Sequence, residues 1–190
     1  PKYLNTSDTP AFRKSKNLFA LNFAKDYCSD RMILCEGYMD VIALHGAGFS
    51  NAVATLGTAM TPDHARMMKR YTKSVVISYD ADAAGQNAAD KAFRLLGEVG
   101  LEARLLKVEN AKDPDEFIKK FGKDAFRKLL DGSKPQFEFK FDRIADKYNL
   151  NALEDKIKAS GEVARLIATF PSSVERELYI SRAFERLGVQ

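Results

Sequence analysis

The sequence predicts an α/β fold in which a mostly parallel sheet of about four strands is flanked by helices and followed by a small helical subdomain. Between residues 31 and 120, apolar runs alternate with helix-like segments, which is the pattern of parallel βαβ units. Beyond residue 120 the apolar residues recur at helical spacing instead. The 190 residues are 45% hydrophobic and 29% charged, so the chain can bury an ordinary core without disulfide bonds or a structural metal.

Residues 1–30 are mixed, polar and basic, with five Lys or Arg and three Asp or Glu. Two prolines and the turn-forming run from Asn5 to Asp8 predict irregular structure first. A short helix is predicted to follow, from about Lys16 to Tyr27. This segment therefore forms an N-terminal strip that differs in character from the α/β region.

The α/β region, residues 31–120, contains four apolar runs that we expect to be strands. They are Met32–Cys35, Ala52–Thr55, Ser74–Tyr79 and Ala103–Val108. Helices are predicted between the strands, over Met39–His45, from Pro62 onward with Thr61 as cap, and over Ala83–Val99. This alternation predicts strands that run parallel in one sheet.

Residues 121–190 are predicted to form a small antiparallel helical subdomain. Apolar residues at helical spacing fill three segments, and Pro135 and Pro171 separate them. The aromatic stripe of Phe137, Phe139 and Phe141 is more typical of a core than of a surface on which bases stack. We therefore expect a packed helical tail.

Composition excludes several classes of protein. No apolar run approaches the roughly 18 to 20 residues that span a bilayer, which excludes a membrane protein. Cys28 and Cys35 form no CxxC pair and follow no secretory signal, so a cytoplasmic location is predicted. His45 and His64 are too far apart to suggest a zinc site by themselves. The net charge of +4 comes from the flanks, since residues 31–120 carry 12 basic and 12 acidic side chains.

Acidic side chains follow three of the predicted strands. Glu36 follows the first strand, Asp80 and Asp82 follow the third, and Asp113 and Asp115 follow the fourth after a short loop. Because the carboxyl ends of parallel strands lie at one edge of a sheet, these acids are expected to converge there. Such an edge is the usual ligand crevice of open α/β folds.

A cluster of carboxylates is costly unless a cation is present, because like charges resist joint ionisation. Mg²⁺ prefers oxygen ligands and often binds one or two carboxylates together with substrate phosphates, so the pattern indicates metal-assisted phosphoryl transfer. The acids after the third and fourth strands also have structural alternatives. Asp82 could cap a helix, and Asp113 with Glu116 could form a capping box.

The acidic motifs resemble those of the Toprim domain, a fold shared by bacterial primases, topoisomerases and some nucleases. The resemblance rests on Glu36-Gly37-Tyr38-Met39-Asp40, Tyr79-Asp80-Ala81-Asp82-Ala83-Ala84-Gly85 and Lys112-Asp113-Pro114-Asp115. The opening Pro1-Lys2-Tyr3-Leu4-Asn5, with Thr9-Pro10 and Phe12, is similar to the segment that precedes this domain in bacterial replicative DNA primases. The first motif also has the form that is found in primases.

The resemblance covers essentially the whole chain and implies three regions. Residues 1–30 would be a strip of the preceding subdomain, residues 31–120 the Toprim catalytic domain, and residues 121–190 a C-terminal helical subdomain. It implies that Glu36 is a general base or metal ligand and that Asp80 and Asp82 are the main metal ligands. The further site residues that it implies are Asp40, Asp113 and Asp115 in the acidic cluster, and Lys2, Tyr3, Asn5 and Lys14, with Asp40, in nucleotide binding.

The reaction implied is synthesis of a short RNA primer on single-stranded DNA from NTPs, with Mg²⁺ as cofactor and Mn²⁺ as its substitute. Guanosine polyphosphates are possible inhibitors at the same metals. The resemblance further implies a Zn²⁺-binding module and a domain that contacts the replicative helicase, both expected to lie outside this chain. We therefore expect a catalytic-core fragment with weak primer synthesis but retained metal and nucleotide binding.

Other functions are compatible with parts of the sequence. Asp80-Ala81-Asp82 after a strand also occurs in phosphatases of the haloacid dehalogenase type, but Glu36 would then have no role. A topoisomerase or nuclease with a Toprim domain is a nearer alternative, which a DNA-nicking assay separates. A non-enzymatic module that senses nucleotides through their phosphates is the third.

Overall fold

A computed structural model describes residues 7–79, 82–108 and 110–189 of the chain. The chain divides into two compact units, with the boundary between Ser133 and Lys134. In unit 1 a 3₁₀ turn at Lys14–Lys16 precedes β1 (Leu18–Phe19), α1 (Leu21–Ala24), β2 (Arg31–Cys35), α2 (Tyr38–Gly46), β3 (Ala52–Thr55), α3 (Pro62–Lys69), β4 (Ser74–Ser78), α4 (Ala83–Glu98), β5 (Glu102–Leu105) and α5 (Pro114–Asp131). Unit 2 contains β6 (Lys134–Pro135), α6 (Gln136–Ala145), α7 (Leu153–Ala168) and α8 (Ser173–Leu187).

The sheet of unit 1 has the strand order β1-β3-β2-β4-β5. Strands β2 to β5 pair in parallel, and only β1 among these described strands is antiparallel to its neighbour. The predicted α/β fold with a mostly parallel sheet is therefore confirmed. Beyond their first residues the two strands at its centre are buried, and all of these buried residues except Ser78 are apolar, as expected when helices cover both faces of a parallel sheet.

The strand order places a topological switch point between β2 and β4. The chain leaves β2 toward β3 on one side, and it leaves β4 toward β5 on the other. The two strands are in parallel register, with Cys35 opposite Ser78, so their carboxyl ends lie side by side. In open α/β sheets this is the position at which ligands bind.

One face of the sheet is covered by α2 and α5. Phe126 of α5 is fully buried, and its ring lies 5.0 Å from Phe49 and 6.1 Å from Phe117, centroid to centroid. Helix α5 is interrupted at Gly122, whose φ of 82° requires a residue without a side chain. The interruption lets both halves of α5 supply aromatic side chains to the core of unit 1.

The N-terminal strip differs from the helix that was predicted over Lys16–Tyr27. Ala20 has a φ of 63°, a left-handed conformation that interrupts any continuous helix there. Leu18 and Phe19 instead pair with Thr55 and Ala54 at the edge of β3, and only a single helical turn follows. Leu18 and Phe19 are thus used in the sheet rather than on a helix face.

Unit 2 has a core formed by all three of its helices. Phe137 and Phe141 are buried, which confirms them as core, and Phe137 stacks on Tyr179 at 4.2 Å. Phe139 is half-buried beneath the guanidinium of Arg143. No helix among the described residues of either unit is both long and apolar enough to cross a membrane.

A compact charge network stabilises the surface of unit 2. Arg186 of α8 donates to Glu138 at 2.7 Å and to Asp142 at 2.6 Å, both on α6. Its guanidinium also lies 4.1 Å from the centroid of the Phe141 ring. Both acids are thus paired with the same guanidinium, and these contacts join α6 to α8 in unit 2.

Candidate metal and nucleotide site

The first predicted motif lies where β2 ends. The strand is buried as far as Cys35, whereas Glu36 is exposed immediately after it. Gly37 is the N-cap of α2, and a Cβ atom built on it would lie 3.1 Å from Oδ2 of Asp40. The Asp40 carboxylate thus folds back over the first turn of α2, where the helix dipole favours a negative charge.

Two shifted pKa values show that the negative charges of this motif reach the end of the sheet. Burial raises the pKa of the Tyr79 phenol, and the nearby Glu36 charge raises it further. Burial also raises the pKa of the Cys35 thiol, with a smaller contribution from Asp40. The two carboxylates therefore generate a negative potential at the carboxyl ends of β2 and β4.

The second motif follows β4, the neighbour of β2. Asp82 is the exposed N-cap of α4, and its Oδ1 accepts a hydrogen bond from the Gly85 N–H at 2.8 Å. Among the described residues, its Oδ2 has no hydrogen-bond partner. Asp80 lies outside the described residues. Asp82 thus has a capping role and also offers one carboxylate oxygen at the switch point.

The third motif begins α5. Asp113 is its N-cap and accepts from the Glu116 N–H at 2.8 Å, as the capping alternative predicted. Glu116 in turn accepts from the Lys112 N–H at 2.7 Å, one residue earlier than in a standard capping box. Asp115 forms an ion pair with Lys119 at 2.6 Å. A metal-binding role for Asp113 and Asp115 stays a prediction, and it would have to coexist with these contacts.

The N-terminal strip reaches the same edge of the sheet. Because β1 is antiparallel to β3, with Leu18 opposite Thr55, the residues before β1 lie beyond the carboxyl end of β3. Half-buried Lys14 is among them, and its N–H donates to Asp8 at 3.1 Å. Lys2, Tyr3 and Asn5, also predicted to bind nucleotide, lie outside the described residues.

The donor set suits a hard divalent cation. Glu36 and Asp82 offer carboxylate oxygens after neighbouring strands, and such oxygens are the ligands that Mg²⁺ and Mn²⁺ prefer. Within the described residues, no group of three His, Cys, Asp or Glu side chains could hold a metal ion. That Asp80, which lies outside the described residues, is a further ligand stays a prediction.

Sequence reasoning missed the role of one histidine. From the sequence, His64 was assigned no role beyond the exclusion of a zinc site, but the residue is fully buried and its Nε2 contacts the Lys14 carbonyl in the N-terminal strip. The sequence signal was its position three residues after Thr61, at the start of a helix that begins with proline.

Two protein families match the chain. Residues 33–118 match a family described as Toprim-like, which confirms the Toprim fold that the motifs predicted. Residues 137–190 match a family described as the DnaB-helicase binding domain of primase. The second match differs from the expectation that a helicase-contacting domain lies outside this chain. The helical tail contains no short motif from which such a role could have been inferred.

Curated and solved relatives agree with these matches. A DNA primase of Clostridium acetobutylicum is 42% identical over 191 residues, which cover 100% of this chain and 32% of the relative. A DnaG primase catalytic domain solved with single-stranded DNA is 32% identical with a TM-score of 0.80, covering 100% of this chain and 61% of that chain.

A third relative is the RNA polymerase domain of the Mycobacterium tuberculosis primase. It was solved with a double-stranded DNA oligomer that has a 6-nucleotide overhang, and it is 28% identical with a TM-score of 0.86. The match covers 100% of this chain and 62% of that chain. The chain spans about a third of the length of the curated relatives it matches.

Proposed function

Since the chain belongs to the bacterial DNA primase family, we propose that it carries the site for the chemical step of RNA primer synthesis. The step joins an NTP to the 3′-hydroxyl of a growing RNA on a single-stranded DNA template. The 3′-oxygen attacks the α-phosphorus and loses its proton, a P–O bond forms, and pyrophosphate leaves with the electron pair of the bond that breaks. The chain is thus a nucleotidyltransferase.

One observation carries the proposal: acids follow both strands that flank the switch point of the sheet. Glu36 follows β2 and Asp82 caps the helix after β4, with the ends of the two strands side by side. Burial raises the pKa of Tyr79 at the end of β4, and the Glu36 charge raises it further, so the negative charge of Glu36 acts at the carboxyl end of the neighbouring strand. A site of this kind attracts a divalent cation, and a nucleotide triphosphate brings further oxygen ligands to it.

The site residues have distinct roles in this proposal. A divalent cation, when bound, supplies positive charge to the reacting oxygens and to the leaving pyrophosphate. Glu36 extends from the end of a buried strand and serves as metal ligand or as the base that takes the proton from the 3′-hydroxyl. Asp80 and Asp82 are the main metal ligands, Asp113 and Asp115 complete the acidic cluster, and Lys2, Tyr3, Asn5, Lys14 and Asp40 bind the nucleotide.

The partners follow from the related proteins. Two solved relatives contain DNA, which supports a single-stranded DNA template for this chain. The family matched by residues 137–190 supports contact between unit 2 and the replicative helicase. Guanosine polyphosphates would compete with NTPs for the same metals. A role in chromosome replication would place the protein in the cytoplasm, where the free thiols of Cys28 and Cys35 are stable.

The test measures addition of a single nucleotide to an RNA primer that is already annealed to a DNA template. Supplying the primer removes the need for initiation, which is expected to be weak. We expect Glu36→Gln to lower the rate by about 100-fold or more, the usual range for loss of a general base. Asp124→Asn, which neutralises an exposed acid on α5, is the matched control and should retain the rate.

Two results would contradict the proposal. One is nucleotide addition by Glu36→Gln at the rate of the unmodified chain. The other is metal-dependent nicking of supercoiled DNA without any nucleotide addition, which would support the topoisomerase or nuclease alternative.

A further inference from the structure

The buried imidazole of His64 joins two parts of unit 1 that are distant in sequence. Its Nδ1 lies 3.3 Å from the Thr61 N–H at the start of α3. Its Nε2 lies 2.9 Å from the carbonyl oxygen of Lys14 in the N-terminal strip. The side chain is fully buried, so neither ring nitrogen can exchange its partner for water.

The two partners determine which nitrogen carries the proton. An N–H group faces Nδ1, so Nδ1 accepts, and a carbonyl faces Nε2, so Nε2 donates. His64 is therefore a neutral imidazole with its proton on Nε2. In this form it is both the reciprocal half of the α3 capping box and a donor to Lys14.

A second hydrogen bond holds the same turn of the strip. The Thr61 hydroxyl donates to the Ser15 carbonyl at 2.7 Å while it accepts from the His64 N–H at 3.2 Å. The strip is otherwise paired to the sheet through the two residues of β1. Two successive carbonyls, those of Lys14 and Ser15, are therefore fastened to the start of α3.

We propose that His64 is a positioning residue for nucleotide binding: it fixes the backbone of Lys14 at the carboxyl edge of the sheet. This inference rests on the proposed function, in which Lys14 and the residues before it bind the triphosphate. Helix α3 does not need a histidine for its cap, because other side chains that accept a hydrogen bond at this position satisfy the Thr61 N–H. The hydrogen bond from Nε2 to the Lys14 carbonyl, in contrast, requires a donor that lies farther along the side chain than the group that accepts from Thr61.

The two hydrogen bonds of His64 can be removed one at a time. In His64→Asn the amide oxygen stands in for Nδ1 and keeps the bond from Thr61, but the side chain is too short to reach Lys14. In His64→Gln the amide nitrogen stands in for Nε2 and keeps the bond to Lys14. The variants thus form a matched pair, of which one keeps the helix cap and the other keeps the link to the strip.

The experiment measures the Kd of a non-hydrolysable NTP analogue and, separately, the Kd of Mn²⁺ alone, on the full chain. We expect His64→Asn to weaken analogue binding by about three- to tenfold, the size of one net hydrogen bond. His64→Gln should bind the analogue within about twofold of the unmodified chain. Neither variant should change the Kd of Mn²⁺, and amide exchange in residues 7–17 should accelerate only in His64→Asn.

The possible outcomes separate this inference from the proposed function. If His64→Asn and His64→Gln bind the analogue equally well, the inference is overturned and the proposed function is not. The same holds if both variants bind the analogue more weakly in proportion to their lower melting temperatures. Absence of any analogue binding by the unmodified chain overturns the proposed function, and the inference with it. A selective loss in His64→Asn supports both.

Discussion

Replacing Asp82 by asparagine should separate the two roles that the structure and the sequence give to this residue. Its Oδ1 caps α4 by accepting the Gly85 N–H at 2.8 Å, and its charge is predicted to bind a metal. Asparagine caps a helix about as well as aspartate but carries no charge, whereas alanine provides neither the cap nor the charge. The Asn and Ala variants therefore differ only in the cap.

The expected magnitudes follow from these contacts. Loss of the cap in Asp82→Ala should lower the free energy of unfolding by about 1 kcal/mol, and unit 1 should melt roughly 3 to 6 °C lower. Asp82→Asn loses only the interaction of an exposed charge with the start of α4, about 0.3 kcal/mol. Both variants should bind Mn²⁺ at least about tenfold more weakly, since the loss of even an outer-shell partner of a metal ligand has this effect.

The assay combines thermal unfolding with Mn²⁺ binding followed by electron paramagnetic resonance or calorimetry. Ser172→Ala is a suitable control, because Ser172 caps α8 by accepting from the Glu175 N–H and is not a predicted ligand. It should lower the stability of unit 2 and leave Mn²⁺ binding unchanged. Normal Mn²⁺ binding by Asp82→Asn would refute the metal role, and equal destabilisation by Asn and Ala would refute the capping role.

Two further predictions concern the scaffold that holds the site. Phe126→Ala removes a fully buried ring that packs against Phe49 and Phe117. In urea titrations it should lower the free energy of unfolding by about 3–5 kcal/mol. A loss below about 1 kcal/mol would contradict the packing of α5. Burial lowers the pKa of His64 below its ordinary value of 6.5, so the unfolded chain takes up this proton first and stability should fall as pH drops below that value. In urea titrations at several pH values, the free energy of unfolding should depend less on pH in His64→Gln than in the unmodified chain. The same pH dependence in both would count against a buried neutral imidazole.

The central strands could be predicted from sequence because burial on both faces leaves a continuous apolar run. Strand β1 could not, since two residues carry no periodic signal and their partners on β3 lie more than 30 positions away. Of the helix predicted over Lys16–Tyr27, only the turn Leu21–Ala24 forms, for a related reason. Leu18 and Phe19 pair with the sheet edge, and Ala20 adopts a left-handed conformation that no sequence pattern indicated.

The candidate site was predicted in part. Acids after strands were recognisable, and the parallel sheet brings the ends of β2 and β4 together as expected. The sequence did not predict that these two strands flank the switch point, because strand order depends on tertiary packing. It also left open the capping role of Asp113 and gave no indication that His64 bonds to Lys14, 50 residues away.

The central claim is that carboxylates at the switch point between β2 and β4 bind a divalent metal for nucleotide transfer. The most direct measurement is Mn²⁺ and NTP binding by the unmodified chain and by the double variant Asp80→Ala/Asp82→Ala. We predict that the unmodified chain binds Mn²⁺, that NTP binding depends on the metal, and that the double variant loses both. Mn²⁺ binding of unchanged affinity in the double variant would contradict the site assignment.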